Sequence, residues 1–170
     1  AIGTMLLGWF HAEATGGNWS FDLADLSTVP VGGAVGSVVF FLLLYGMGIR
    51  TPIFPLHGWL PLVAQHGNVA IAPVLLLGIK VGIYGLIRFV FPIVPGAVVQ
   101  WHTFVVAFAA AGVFYAAFLA FLQSDLRRLM AFAVVSHTSL LIIGLFSLHA
   151  EGFQGSILLA VNFGLAMTVM

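Results

Sequence analysis

The sequence predicts an all-α fold, a polytopic bundle of transmembrane helices in which one helix is broken by prolines. The composition is the first observation: of 170 residues, 62% are hydrophobic and only 6% are charged, and the mean hydropathy is +1.17. A soluble domain has about a quarter charged residues, so this chain has too few to cover a water-facing surface. The second observation is that apolar runs recur at about the 20-residue length that a helix needs to cross a bilayer. The third is a proline cluster inside one of these runs.

The apolar runs divide the chain into six helical pieces, which we assign to a single membrane domain covering 1–170. A spanning segment must satisfy its backbone hydrogen bonds internally, so each run is predicted to be helical. Ala1 and Met170 both lie in apolar stretches, and we therefore expect the interior fragment of a longer protein. The predicted helices lie at about 1–10 (truncated), 33–66 (broken near 50–55), 69–91, 102–123, 126–148 and 154–170 (truncated).

The connections between these helices are predicted from their polarity and their turn residues. HAEATGGNWSFDLADLSTVP separates the first two helices as a polar loop, and FPIVPGAVVQ and HAEG supply shorter turns. SDLRR is the basic cluster of the chain, and loops rich in Lys and Arg remain on the cytoplasmic side. We therefore predict that SDLRR faces the cytoplasm.

The second helix contains the stretch GIRTPIFPLHGWLP at 48–61. Pro52 and Pro55 each lack a backbone donor and clash with the preceding turn, so we predict that the helix breaks just after Arg50. Broken helices occur at membrane depth where they line a cavity, and their free ends bind charge. Arg50 would end the first half-helix, where the helix dipole favours a cation. The stretch therefore predicts a polar opening inside the membrane.

Polar side chains fall near the middle of four predicted helices. A lone charge at the bilayer centre costs about 2.5 kcal/mol or more, so such side chains should face protein or water. Together they predict a hydrated polar axis along the membrane plane, to which Tyr84 also belongs because it lies four residues after a lysine on one helix face. The four side chains are Arg50, Lys80, His137 and Asn162.

Simpler interpretations remain open for each of these residues. His137 alone fits a hydrogen-bonded helix contact, and Asn162 alone fits a polar contact between helices. His57 fits a brace for the broken helix. Lys80 is different, because a lysine at mid-membrane indicates a functional group. The five acids lie in loops or at helix ends, so the buried cations would need a carboxylate from outside this chain: Glu13, Asp22, Asp25, Asp125 and Glu151.

Several function classes are disfavoured by the sequence. The net charge is zero, which argues against nucleic acid as a partner. The chain has no cysteine, so thiolate metal sites and thiol chemistry are excluded. His57 and His66 are nine residues apart, without the close histidine pair of a helical metal site. We predict no cofactor, no metal and no catalytic residue in this chain.

Three blocks of the sequence resemble the antiporter-like, proton-translocating membrane subunits of respiratory complex I, with the greatest similarity to the chain M type of NADH–quinone oxidoreductase. They are RTPIFPLHGWLP (50–61), LGIKVGIYGLIRF (77–89) and SDLRRLMAFAVVSHTSLL (124–141). The resemblance covers nearly the whole chain and implies an inverted-repeat antiporter-like fold. The residues that match its broken-helix motif are Pro52, Pro55, His57, Trp59 and Pro61.

The resemblance also implies roles for individual residues. Lys80 matches a lysine that passes protons along the membrane, and His137 matches the histidine of the VSH block. Arg50 stands where the resembling proteins have a lysine that pairs with a glutamate on an earlier helix. Asn162 replaces a histidine of a later helix. Arginine remains charged at physiological pH and asparagine does not titrate, so neither can relay a proton as the usual residue does.

The leading hypothesis is a proton-translocating membrane subunit of a complex I-type assembly, in which any oxidoreductase activity belongs to the other subunits. Protons would pass Lys80, His137 and ordered water, with Arg50 as a fixed charge. The expected surroundings are the lipid bilayer of the bacterial inner (cytoplasmic) membrane and other membrane subunits. The alternatives are a subunit of a cation/proton antiporter, with Na+ as a second ion, a bicarbonate-linked transporter, or a degenerate structural module that does not pump.

Overall fold

The computed structural model describes residues 2–28, 31–68 and 72–169, and all regular secondary structure in these ranges is helical. The predicted all-α class is confirmed. Among the described residues, three helices are long and apolar enough to cross a membrane: Gly33–Arg50, Pro95–Phe121 and Leu126–Leu145. The elements are α1 (Ile2–Ala14), α2 (Leu23–Thr28), α3 (Gly33–Arg50), α4 (Trp59–His66), α5 (Ala72–Gly85), a π-helical turn (Leu86–Val90), α6 (Phe91–Ile93), α7 (Pro95–Phe121), α8 (Leu126–Leu145) and α9 (Ala150–Val169).

Two compact units share these helices. The first contains the residues up to Met47 together with Ile83–Trp101, and the second contains Gly48–Gly82 together with the residues from His102 onward. The long helices α3, α5 and α7 each contribute to both units. The second unit holds the break after Arg50 and most of the predicted polar residues.

The first unit is held by apolar packing and by one polar contact between distant segments. Leu7, Phe40 and Leu86 are almost completely buried. The Trp101 indole donates a hydrogen bond to the hydroxyl of Ser37 at 3.0 Å, which joins side chains that are 64 residues apart. An indole N–H that is removed from water needs such an acceptor. The Ser37 hydroxyl therefore satisfies the only polar group of the Trp101 side chain.

In the second unit, α8 and α9 pack against each other after a short connection. Helix α8 starts at an N-cap, because the Asp125 carboxylate accepts from the Arg127 backbone N–H at 3.1 Å. Ser156 of α9 donates to the Leu141 carbonyl oxygen at 3.0 Å. Gly144 faces Ser156 so closely that any side chain there would collide with the hydroxyl. A small residue thus allows the two helices to approach, as is common within membranes.

The observed helix limits differ from the predicted ones in several places. The helix predicted to begin at 102 begins at Pro95, and the predicted turn at 92–101 is reduced to the non-helical Val94 (φ −128°, ψ 56°). Proline is favoured at the first helical position because its missing N–H would be unpaired there anyway. The polar loop after α1 contains the short helix α2. The predicted limits at residues 1, 69 and 170 lie outside the described residues.

Candidate functional site

The helix break begins with a missing backbone donor. In a regular helix the Gly48 carbonyl oxygen would accept from residue 52, but Pro52 has no N–H. The N–H of Ile53 replaces it and donates to Gly48 at 3.1 Å. Because the Ile53 N–H donates to Gly48, the next carbonyl oxygen, that of Ile49, is left without its usual helical donor. The indole N–H of Trp59 donates to that oxygen at 2.8 Å, so a side chain completes the end of α3.

The residues between the two half-helices form a series of turns. Leu56 N–H donates to the Ile53 carbonyl at 2.6 Å, and Leu60 N–H donates to the His57 carbonyl at 3.0 Å. The peptide bond between Phe54 and Pro55 is cis. Of the three prolines of the motif, Pro52 and Pro61 are buried and Pro55 is exposed. The break therefore has a defined backbone path from Arg50 to Trp59.

Arg50 is the last residue of α3, and its side chain reaches α5. The guanidinium Nε donates to the Gly78 carbonyl oxygen at 3.3 Å. A Cβ at Gly78 would lie 3.2 Å from a terminal nitrogen of Arg50, so the guanidinium lies directly against the glycine. Since Gly78 precedes Lys80 by two residues on α5, the structure attaches the Arg50 charge to the helix that carries Lys80.

Lys80 and His137 contact the same aromatic ring, that of Phe163 on α9. The Lys80 Nζ lies 5.7 Å from the ring centroid, within the range of a cation–π interaction. The His137 ring stacks on Phe163 with centroids 4.2 Å apart and planes inclined by 9°. A Cβ at Gly164 would lie 3.0 Å from Lys80 Cε, so the lysine stem packs against the α9 backbone. Helices α5, α8 and α9 therefore meet at Phe163.

The polar contacts of α8 orient His137. Its Nδ1 lies 3.3 Å from the Ala133 carbonyl oxygen. A carbonyl oxygen only accepts, so Nδ1 carries the proton in this contact and Nε2 is the basic nitrogen. The neighbouring Ser136 hydroxyl donates to the Val113 carbonyl at 3.2 Å, which joins α8 to α7. His137 itself is exposed on the surface of the described chain.

Tyr84 and Asn162 are not brought into this contact in the same way. Tyr84 lies one helical turn after Lys80 on α5 and is 59% exposed. The π-helical turn Leu86–Val90 follows directly. The i, i+4 spacing that places Tyr84 on the same face as Lys80 therefore does not continue beyond α5. Asn162 has an exposed side chain, whereas the adjacent Phe163 contacts both titratable groups. Their place in a proton path remains a prediction.

His57 lines a small cavity at the break. Only 6% of the residue is exposed, and its ring stacks on Phe54 at 5.8 Å and meets Tyr115 edge-on at 5.4 Å. Within the described residues its Nδ1 has no hydrogen-bond partner. The cavity measures about 190 Å³, and its wall also includes Phe132 and Arg128. The histidine is thus fixed by aromatic packing.

A metal site needs several donor side chains at one place. Within residues 2–28, 31–68 and 72–169, no three His, Asp or Glu side chains come together as a metal site. The nitrogen groups near the break are the His57 imidazole and the guanidinium groups of Arg50 and Arg128, which do not form a ligand set for a divalent ion.

Comparison with known proteins gives the chain a family. All 170 residues match the family described as "NADH:quinone oxidoreductase/Mrp antiporter, TM". The chain belongs to this family. The resemblance predicted from the three sequence blocks is therefore confirmed, and with it the assignment to a family of membrane subunits.

Individual relatives of this antiporter-family chain come from several bacteria. NADH-quinone oxidoreductase subunit M of Escherichia coli K12 is 31% identical over 169 residues, covering 97% of this chain and 32% of the relative. NAD(P)H-quinone oxidoreductase chain 4 of Synechococcus sp. RCC307 is 36% identical over 154 residues, covering 88% of this chain and 28% of the relative. The chain thus spans about a third of the length of these relatives.

A solved structure supports the same family. The chain is similar to a chain of respiratory complex I from Thermus thermophilus with bound NADH, with a TM-score of 0.83 and 30% sequence identity. The match covers 97% of this chain and 35% of the other. The transmembrane bundle predicted from composition and apolar runs is confirmed by this match together with the three long apolar helices.

Sequence reasoning missed two aromatic residues of the site, Phe163 and Tyr115. Both are apolar or weakly polar residues in runs of similar residues, where aromatic side chains give no signal of their own. The residue numbers of Phe163 and Asn162 differ by one, so only the rotational position of α9 decides which side chain faces Lys80. That position is set by packing between helices and is not encoded in the local pattern.

Proposed function

We propose that this chain is part of a proton-translocating membrane subunit of a complex I-type NADH–quinone oxidoreductase in a bacterial inner membrane. The observation that carries the proposal is the meeting of Lys80 and His137, from separate helices, at one ring in a chain of this family. Intramembrane ionisable residues are costly and mark ion pathways. Two of them at one place therefore support proton transfer along the membrane.

Each residue has a distinct part in this function. Lys80 releases and takes up a proton at Nζ, and His137 accepts and releases one at Nε2. Arg50 remains charged, and because it is bound to Gly78 its repulsion opposes a second positive charge at Lys80. A carboxylate from a segment outside this chain would pair with Arg50 and relieve this repulsion. Movement of that partner then drives Lys80 between its two protonation states.

The redox reaction belongs to other subunits in this proposal. This chain contributes no residue to electron transfer or quinone binding, and other membrane subunits of the assembly are its partners. The family description also includes Mrp antiporters, which favours a cation/proton antiporter subunit as the second candidate. Pumping driven by NADH in the absence of Na+ would distinguish the first candidate from the second.

The test uses the full-length protein in its assembled complex, reconstituted in vesicles. Lys80→Ala should reduce NADH-driven proton pumping at least tenfold without preventing assembly, because the variant has no titratable group at this position. His137→Gln, which retains a hydrogen-bonding side chain but cannot carry a proton, should also reduce pumping. The measurement is acidification of the vesicle lumen per NADH oxidised.

Arg127→Ala is the matched control, because it also removes a cation but lies at the start of α8, away from Phe163. We expect it to pump normally. Normal pumping by both Lys80→Ala and His137→Gln would contradict the proposed function and favour a structural module that does not pump.

A further inference from the structure

The ring of Phe163 contacts both Lys80 and His137. Its contacts with both side chains are direct: 5.7 Å from Nζ to the ring centroid on one helix, and 4.2 Å between ring centroids on the other. A benzene ring has no atom that can accept or release a proton. The ring itself therefore cannot relay a proton between Lys80 and His137.

We infer that Phe163 is a positioning residue that acts as a gate between the two proton carriers. The inference rests on the proposed function of Lys80 and His137. With the ring in place, the two groups are held apart and transfer is blocked. When the ring turns away, water enters the space and connects Nζ to the imidazole.

The stacking geometry supports the closed state of this gate. Two rings with centroids 4.2 Å apart and planes inclined by 9° are in van der Waals contact, and no water fits between them. The basic Nε2 of His137 is the atom that receives the proton, because Nδ1 donates to Ala133. When Phe163 turns out of this stack, it leaves space beside the imidazole in which water can reach Nε2 from the Lys80 side.

The attraction between the ring and the lysine supports the same state. A charged ammonium is drawn to the face of an aromatic ring, and this attraction strengthens where water is absent. It is lost when Lys80 becomes neutral, so the ring is held most firmly while Lys80 still carries its proton. Gly164 contributes by leaving space for the lysine stem, which a Cβ there would meet at 3.0 Å.

The transfer step is balanced and involves no redox change. An N–H bond of the Lys80 ammonium breaks and its electron pair stays on Nζ. Bridging water accepts this proton and releases another. A new N–H bond forms at Nε2 of His137, which becomes an imidazolium. Phe163 takes no part in bond making and controls only whether the water chain exists.

The experiment measures passive proton leak, which does not depend on turnover of the complex. The complex containing the full-length protein is reconstituted in vesicles, a pH gradient is imposed without NADH, and its decay is followed. Phe163→Ala should increase the leak at least threefold, because water fills the space that the ring leaves. Phe163→Tyr keeps the ring and should leak like the wild type. Leu158→Ala, which truncates an exposed side chain on the same helix, is the control.

A double variant separates this gate from a general loosening of the bundle. If the leak runs through the two carriers, Phe163→Ala combined with Lys80→Ala should return to the wild-type rate. A leak that persists in the double variant, or a wild-type leak in Phe163→Ala, would overturn the gate. If Phe163→Ala does not assemble, Phe163→Leu decides, since it keeps apolar volume without a ring. A leak in Phe163→Leu that Phe163→Tyr does not share supports the gate, and a wild-type leak in both contradicts it.

Failure of the gate and failure of the proposed function give different results. If pumping is lost in Lys80→Ala but Phe163→Ala neither leaks nor loses coupling, the proposed function stands and the gate is wrong. If Lys80→Ala pumps normally, the proposed function is wrong, and the gate falls with it because no proton then passes between the two side chains.

Discussion

Arg50 shows what a single residue contributes at the break. It ends α3 and reaches the Gly78 carbonyl of the next helix at 3.3 Å, so its charge is held in place by a directed hydrogen bond. Arginine provides five donors on a planar group that remains protonated. The residue therefore supplies a positive charge that is hydrogen-bonded to the helix carrying Lys80.

This role predicts different outcomes for two substitutions of Arg50. Arg50→Lys keeps a cation and should retain at least half of the wild-type NADH-driven pumping. Arg50→Met has a similar length without charge and should lower pumping at least tenfold, because nothing then opposes the charged form of Lys80. Both variants are compared in vesicles containing equal amounts of assembled complex. If Arg50→Met pumps normally and only the unfolding temperature falls, Arg50 is a brace for the break.

Individual residues differ in how far the sequence predicts them. Lys80 and His137 could be singled out from the sequence because a charged or titratable group inside an apolar run is unusual. In the structure both side chains contact the Phe163 ring. Phe163 could not be singled out from the sequence, because phenylalanine is an ordinary residue in an apolar run. Asn162 was the polar residue that the sequence singled out on α9, but its side chain is exposed. The adjacent Phe163 contacts His137 instead.

At the scale of helices, the break depends on a side chain that replaces a backbone donor. Trp59 starts α4 and donates to Ile49 near the end of α3, so one residue joins both half-helices. A carbonyl oxygen inside the membrane has no water to accept from. The indole therefore satisfies an oxygen that the proline-induced shift would otherwise leave unpaired.

Trp59→Phe tests this contact, because it keeps an aromatic ring and removes the donor. We expect a loss of about 0.5–1.5 kcal/mol in the free energy of unfolding, the usual net contribution of one hydrogen bond. The measurement is chemical unfolding of the detergent-solubilised protein. Trp19→Phe is the matched control, since Trp19 is 58% exposed and should change stability little. Equal stabilities of the two variants would contradict the role given to the indole.

The proline cluster was a strong signal for the break because proline changes the backbone whatever its surroundings. The start of α7 was not predicted correctly, because a proline can also begin a helix and Pro95 does so. The π-helical turn had no recognisable signal, since its residues, LIRFV, would be equally suited to an α-helix. Such a change in backbone spacing depends on packing beyond the local sequence.

At the scale of the whole molecule, the α7–α8 connection and the α8–α9 connection should lie on opposite sides of the membrane. The 20-residue helix α8 joins them and is long enough to span. The basic residues of SDLRR predict that the first connection faces the cytoplasm. Both connections contain exposed positions, Ser124 and Glu151, which can be used to test this topology.

Single cysteines introduced at these positions report their sides, since this chain has none of its own. In an otherwise cysteine-free protein, Ser124→Cys should react with a membrane-impermeant maleimide only in inside-out vesicles. Glu151→Cys should react only in right-side-out vesicles. Labelling after detergent treatment shows that both thiols are present. Reaction of both from the same side would exclude α8 as a membrane span, and the reverse pattern would invert the orientation.

The π-helical turn at Leu86–Val90 has a consequence for the length of related chains. A π-helical turn contains one residue more than the α-helical ladder needs, so the chain bulges outward there. Leu86 and Val90 are fully buried, whereas Arg88 and Phe89 between them are exposed. Deletion of one exposed residue would place the two buried ones three apart, still on one face of a regular helix. This turn is therefore the point at which homologous chains can gain or lose a residue while the segments on both sides keep their orientation.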